Sequence, residues 1–295
     1  MTLALHAFRE EAAEAQRLAS ALDVPLAFVN LHTFPDGETV PRIPEAARTT
    51  IVYRSLHQPN KKLVELLLAA DAWRRNGAES LILVAPYLPY MRQDTTFRTG
   101  EPVSQRVVAR LLDTAFDRVI TVDPHLHRTA SLAELFTTCT STHLYAADAL
   151  VPYLRAERVG PTTLVIGPDI ESDPWVRRIA EPLGLDHATF RKVRRSDVDV
   201  EIQAPADLSI AGRPILLVDD ICSTGGTLRK ATALLQSSAA GPITIFITHM
   251  LGDAEVSDSL SRAGAARIIS TDSCPGHTSE IHLANLIAQS LAGSL

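Results

Sequence analysis

The chain has 295 residues, 46% hydrophobic and 21% charged, with a formal net charge of −6; this is a globular make-up with room for two domains of ordinary size. The acidic balance argues against broad nucleic-acid or membrane-surface binding, so an anionic substrate must be drawn in locally. Three scattered cysteines, Cys139, Cys222 and Cys274, suggest reduced thiols and neither a disulfide framework nor a zinc site; with no signal peptide and no apolar run long enough to cross a membrane, the expectation is a cytoplasmic protein.

Thr2 to Ala7 reads as a strand, Glu10 to Leu22 as a helix and Leu26 to Asn30 as a second strand. Phe34-Pro35-Asp36-Gly37-Glu38 follows, with strong turn chemistry. From Thr50 a plan begins that recurs in the second half. Ile51 to Tyr53 is a strand; Leu63, Leu66, Leu67, Ala70 and Trp73 lie at helical spacing up to Asn76-Gly77; Leu81 to Ala85 is a strand. In the second half Ile215 to Val218 is a strand, Leu228 to Gln236 a helix and Ile243 to Thr248 a strand. Arg118 to Asp123 is echoed by Arg267 to Asp272. Such alternation predicts an α/β fold of two related domains, each a mostly parallel sheet flanked by helices. Ile281 to Leu291 reads as an amphipathic C-terminal helix.

The stretch that organises the chain is Asp219-Asp220-Ile221-Cys222-Ser223-Thr224-Gly225-Gly226-Thr227. It follows a short apolar run typical of a strand buried on both faces and leads into a helix. Glycines let successive amides turn toward one point, and the helix start adds unpaired N–H groups and the positive end of its dipole. That makes a phosphate cradle. The two aspartates repel a phosphate and suit hydroxyl groups or a divalent cation on the same ligand, so the pattern describes a ribose 5-phosphate. The matching stretch of the first half, Arg54 to Lys62, has neither paired acids nor glycines. The first half carries extra residues between Ala85 and Val103 instead, an insertion at the C-terminal end of a strand, where open α/β sheets place binding groups. Its centre is Arg92-Gln93-Asp94; Arg92 suits a phosphate or a base face, and the amide and acid suit a base edge.

The Asp219–Thr227 stretch resembles the loop shared by phosphoribosyltransferases and 5-phosphoribosyl-1-pyrophosphate (PRPP) synthetases. Arg92-Gln93-Asp94, followed by Gly100-Glu101-Pro102-Val103-Ser104, narrows the match, because it is similar to the ATP-binding segment of the synthetases. Phe34, Asp36 and Glu38 resemble that family's N-terminal loop, which reaches ATP across a subunit interface. Asp123-Pro124-His125 resembles its Asp-x-His, whose histidine binds Mg²⁺, and Asp169 stands where the family's Pro-Asp contributes to the metal and ribose region. Lys192-x-Arg194 matches the catalytic flexible-loop pattern; Arg191 and Arg195 are extra cations. The resemblance covers nearly the full chain.

The resemblance implies a Mg²⁺-dependent ribose-phosphate diphosphokinase with catalytic Lys192 and Arg194. ATP would be bound by Phe34, Asp36, Glu38, Arg92, Gln93 and Asp94. Ribose 5-phosphate would be bound by Asp219, Asp220, Ser223, Thr224, Gly225, Gly226 and Thr227, and the metal by His125 and Asp169. It also implies a homo-oligomer, dimer or higher, with the ATP site near a subunit interface. Domain limits are placed at 1–142, 143–280 and 281–295, the last segment packing back on the first domain. A phosphoribosyltransferase and a non-catalytic synthetase-like regulatory subunit are the alternatives. The largest departure is Ile170-Glu171-Ser172-Asp173-Pro174, where the family usually has small residues. Extended backbone would turn Glu171 to the side of Asp169; a helix with Asp173 as N-cap and Pro174 at its first position would turn Glu171 to solvent.

Overall fold

The structure is a computed structural model and describes residues 2–194, 200–205 and 208–293. Two compact units emerge: residues 1–144 with 283–295, and residues 145–282. The first unit contains β1 (Leu3–Phe8), α1 (Ala12–Leu22), β2 (Leu26–Thr33), β3 (Thr39–Arg42), β4 (Thr49–Tyr53), α2 (Pro59–Arg75), β5 (Ser80–Val84), α3 (Ser104–Ala115), β6 (Arg118–Val122) and β7 (Thr140–Leu144). Among the described residues its sheet runs β3-β2-β1-β4-β5-β6-β7, parallel except for the β2–β3 hairpin. The central strands are apolar and buried, as two-sided packing in a parallel sheet requires. Trp73 of α2 is fully buried among Val52, Leu66, Leu81 and Leu83.

The second unit contains α4 (Ala147–Ala156), β8 (Leu164–Gly167), α5 (Asp173–Ala180), β9 (Asp186–Thr189), β10 (Arg191–Arg194), β11 (Val200–Gln203), β12 (Ile215–Cys222), α6 (Gly226–Ser237), β13 (Ile243–Met250), α7 (Ala254–Arg262), β14 (Arg267–Thr271) and β15 (Ser279–Ile281). Its main sheet runs β15-β14-β13-β12-β8-β9, all parallel. Without β3, the first sheet has the same order of equivalent strands. In both, the order reverses between two central strands: β1 and β4 in the first unit, β8 and β12 in the second. Open α/β sheets bind ligands at such reversals, beyond the carboxyl ends of the strands. Strands β10 and β11 form a separate antiparallel ribbon, with Lys192 opposite Ile202 and Arg194 opposite Val200.

Three expectations are corrected. Strand β12 does not stop at Val218 but runs through both aspartates to Cys222, because β13 offers partners that far: Asp219 pairs with Ile247 and Cys222 with Met250. The C-terminal helix does not start at Ile281; Ser279–Ile281 is an edge strand on β14, and the helix, α8, is Ala284–Ala292 within the first unit. Nor is the chain extended after Asp169: Ile170–Ser172 forms a single 3₁₀ turn, and Asp173 is the first residue of α5 rather than its cap. No helix among the described residues is long and apolar enough to cross a membrane.

Candidate active site

In the second unit the loop after β12 sits at the strand reversal. Asp219 and Asp220 are consecutive strand residues and face opposite sides of the pleat; Asp220 is buried and Asp219 half-buried. The Asp220 N–H donates to Asp219 Oδ1 at 3.1 Å. Ser223 and Thr224 are exposed, and Gly226 and Thr227 open α6. No side chain caps α6, and its first turn holds no acid, an arrangement of the kind that suits an anion at a helix start. Gly225 makes the turn possible. Its φ is 70°, and a Cβ there would meet Val256 Cγ1 at 3.0 Å, so both backbone and space demand glycine. Arg229 ties the loop down by donating to the Thr224 carbonyl at 2.7 Å. Cys222 behind the loop is a buried free thiol pushed up to about 12, chiefly by burial and then by the Asp219 charge, which makes it inert.

Asp169 follows β8, the strand beside β12, so three carboxylates lie toward the carboxyl ends of two adjacent strands. Asp169 Oδ1 accepts the Glu171 N–H at 3.1 Å, which closes the 3₁₀ turn. Ser172 is buried, and its hydroxyl donates to the Asp169 carbonyl. Gly167 is small because of that turn: a Cβ would lie 2.0 Å from Ser172 Oγ. Glu171 is exposed, and Arg177 pairs with Asp173 at 2.7 Å rather than with Glu171. The backbone of Lys192 and Arg194 lies in the β10–β11 ribbon; their side chains, and the whole of Arg195, lie outside the described residues.

The first unit has a different reversal point. Where β12 carries Asp219, β4 is followed by Arg54, fully buried and stacked 4.0 Å from the Phe8 ring centre. Its guanidinium reaches Glu10 and Glu11 at 3.0 Å each and Glu65 at 2.6 Å. Lys62 holds the other Glu11 oxygen at 2.7 Å and the Ser55 carbonyl at 3.0 Å. Burial pushes the Glu11 carboxyl up, while Arg54 and Lys62 pull it back toward the charged form. His57 is driven down to about 4 by burial and then by Lys62, so the ring is neutral. The charges at this reversal point are thus largely paired with one another, although Arg54 Nε and Glu65 Oε1 are buried without a hydrogen bond.

The insertion after β5 and the loop after β6 lie on neighbouring strand ends of the same sheet. Arg92 and Gln93 are exposed; the Asp94 side chain is only 2% exposed and pairs with Arg128 at 2.9 Å. His127 Nε2 lies 3.0 Å from His125 Nδ1, the rings edge to face. Asp123, just before them, is buried with φ 35°, a left-handed backbone rare for a residue with a side chain. Phe34, Asp36 and Glu38 form the exposed tip of the β2–β3 hairpin, where Asp36 Oδ1 accepts the Glu38 N–H at 3.1 Å. Four strand steps separate β3 from β5, about 19 Å at the usual spacing, so the sheet does not bring this tip to Arg92 within the unit. The sequence reading missed Arg128 and the Arg54 cluster. Arg128, directly after His-x-His, could have been noticed; the charges around Arg54 come from two segments, Glu10–Glu11 and Lys61–Glu65, brought together by the fold.

Residues 3–115 match the family described as the N-terminal domain of ribose phosphate pyrophosphokinase, and residues 155–272 match the phosphoribosyl transferase domain. The chain is 37% identical over 278 residues to a ribose-phosphate pyrophosphokinase of Methanopyrus kandleri, covering 94% of each chain. It is 34% identical over 283 residues to that of Halobacterium salinarum, covering 94% of this chain and 96% of the other. The crystal structure of phosphoribosylpyrophosphate synthetase from Mycobacterium smegmatis superposes with a TM-score of 0.85 at 27% identity, over 99% of this chain and 98% of that one. Similarity that runs through both units, and through both strand reversals, establishes that the chain belongs to the ribose-phosphate pyrophosphokinase family.

Proposed function

We propose that the chain transfers the diphosphoryl group of ATP to the anomeric hydroxyl of ribose 5-phosphate, giving PRPP and AMP. The observation that carries this reading is the coexistence, in one chain, of the β12–α6 loop and the Arg92–Asp94 insertion. The second-unit loop suits the sugar phosphate: the amides before and within α6 for the 5-phosphate, Asp219 and Asp220 for the diol. The first-unit insertion suits the nucleotide. Filled by its own ion pairs, the Arg54 loop is a degenerate copy of the sugar-phosphate loop. A phosphoribosyltransferase has no use for the insertion, and the similarity to the pyrophosphokinases spans both units.

The anomeric hydroxyl attacks the β-phosphorus in line, and AMP leaves. Charge moves toward the leaving phosphate as the bond breaks, and Lys192 and Arg194 are the cations assigned to offset it. Much of the remaining rate enhancement comes from positioning. Mg²⁺ suits the carboxylates of Asp169, Asp219 and Asp220, hard oxygen donors toward the carboxyl ends of adjacent strands; His125 offers a softer nitrogen. Asp169 in one unit and His125 in the other are the groups assigned to hold such ions. When bound, the metal neutralises phosphoryl oxygens. The test is AMP release from ATP. Release that requires ribose 5-phosphate supports the assignment. No release under any condition leaves a non-catalytic subunit, and PRPP consumption with a nucleobase identifies a transferase.

A further inference from the structure

We infer that Arg128 is a further nucleotide-binding residue, gripping the phosphate chain of ATP, and that Asp94 is its positioning residue and not a reader of the adenine edge. The inference rests on the synthetase reading above. Asp94 has a side chain only 2% exposed. Its Oδ1 accepts from Arg128 Nη1 at 2.9 Å, and its Oδ2 is sealed from solvent with no hydrogen-bond partner. An oxygen closed to water is closed to a base edge as well. Burying a carboxylate against a single partner is costly, and what it secures here is the direction of one cation.

Arg128 is the opposite case. Its side chain is 59% exposed; besides Asp94 it meets the Phe97 ring, 5.9 Å from Cζ. Nη1 is committed to Asp94, and among the described residues Nε and Nη2 have no hydrogen-bond acceptor. A half-open guanidinium fork anchored at one corner matches two oxygens of a phosphate chain. As a stability device it would be poor, since a pair open to solvent on one side contributes little.

Its setting supplies the ligand class. Arg128 follows His127 directly, and Arg92 stands two residues before Asp94. A second tie runs from the Arg128 loop to α3: Thr129 Oγ1 donates to Gln105 Oε1 at 3.1 Å. Gln105 in turn donates to the Met91 carbonyl at 3.3 Å through its side chain, and to the Gln93 carbonyl at 3.2 Å through its backbone. Two exposed arginines, Arg92 and Arg128, are therefore carried on loops clamped together. Two neighbouring cations, one of them anchored, suit a chain of phosphates, and of the two substrates ATP is the one that has it.

The experiment measures binding of non-hydrolysable ATP and GTP analogues by calorimetry, together with KM for both substrates. Arg128→Ala should weaken the ATP analogue roughly tenfold to a hundredfold, the loss of a charged hydrogen-bond pair, and leave the ribose 5-phosphate KM unchanged. Arg128→Lys should recover only part of the loss, because an ammonium cannot form the fork. Asp94→Asn should weaken both nucleotides alike by a few-fold, and combined with Arg128→Ala should add nothing further. Wild-type binding by Arg128→Ala would overturn the proposal. So would additive losses with a changed ATP-to-GTP preference in Asp94→Asn, which would make Asp94 a base reader. Arg128 is exposed, so its variants test the proposal even if Asp94→Asn fails to fold. A wild-type protein that binds neither analogue would overturn the synthetase reading itself, an outcome distinct from these.

Discussion

At the scale of single residues, Arg54 is a costly side chain to disturb. It is fully buried, and two of its partners, Glu11 and Glu65, are 0% and 1% exposed. Removing the guanidinium leaves two carboxylates in low dielectric with only Lys62 and the more distant Lys61 nearby. Arg54→Leu should lose about 3–5 kcal/mol of stability, the usual cost of breaking a buried ion pair, and adding Glu11→Gln and Glu65→Gln should restore part of it; urea titration of the three proteins measures both effects. Two histidines set a pH dependence. His6 accepts the Trp73 indole N–H at 2.8 Å and is lowered to about 4 by burial; His57 is lowered to about 4 by burial and by Lys62. Both bind a proton less readily when folded. Unfolded chains take it up near 6.5, so between about 6.5 and 4 the unfolded state holds more protons, approaching about two, and stability falls as pH falls. His6→Gln should flatten that acid slope in a stability-versus-pH series; an unchanged slope would place the proton elsewhere.

At the scale of elements, the turn after β8 separates backbone from charge. Asp169 is positioned by a 3₁₀ turn whose hydroxyl, Ser172 Oγ, occupies the space a Cβ on Gly167 would need. Glu171 is exposed on that turn. Gly167→Ala should therefore raise the ribose 5-phosphate KM and shift the Mg²⁺ dependence although it adds no charge, while Glu171→Gly should leave both KM values within about twofold, as a surface change does. The opposite pattern in steady-state kinetics would return Glu171 to the sugar site. This turn also shows what was legible beforehand. Apolar runs such as Ile51–Tyr53 and Ile243–Thr248 announced the central strands, and the Asp219–Thr227 pattern announced the loop, because both signals are local. The continuation of β12 to Cys222 was not legible: acidic residues read as loop until a neighbouring strand supplies hydrogen bonds. Ser279–Ile281 is too short for any periodicity, and it is a strand only because β14 has a free edge. The burial of Asp94 depends on Arg128, 34 residues away, and no local pattern carries that.

At the scale of the whole molecule, the question is what the β2–β3 hairpin serves. Its tip is exposed from Phe34 to Glu38, and β3 is the edge strand of the sheet. Phe34 is 43% exposed, with the His32 ring edge-on at 4.6 Å, and Val40 is 48% exposed. A hairpin with apolar residues in water is ordinarily held by something. Within the unit its tip lies about four strand spacings from the Arg92 insertion, roughly 19 Å, too far for Asp36 or Glu38 to reach a base held there. If the tip completes the nucleotide site of a second copy, each active site draws on two chains. Asp36→Ala subunits keep an intact Lys192, and Lys192→Ala subunits keep an intact hairpin tip. Neither should be active alone, yet random pairing would leave about a quarter of the sites with both groups whole, as isologous contacts between equal populations require. Mixing the two variants under conditions of subunit exchange, with the mixed species confirmed by mass spectrometry, should restore AMP release to about that fraction of wild type. Mixed oligomers with no recovered activity would mean that the hairpin acts within its own chain or not at all, and the nucleotide site would then have to be complete in one subunit.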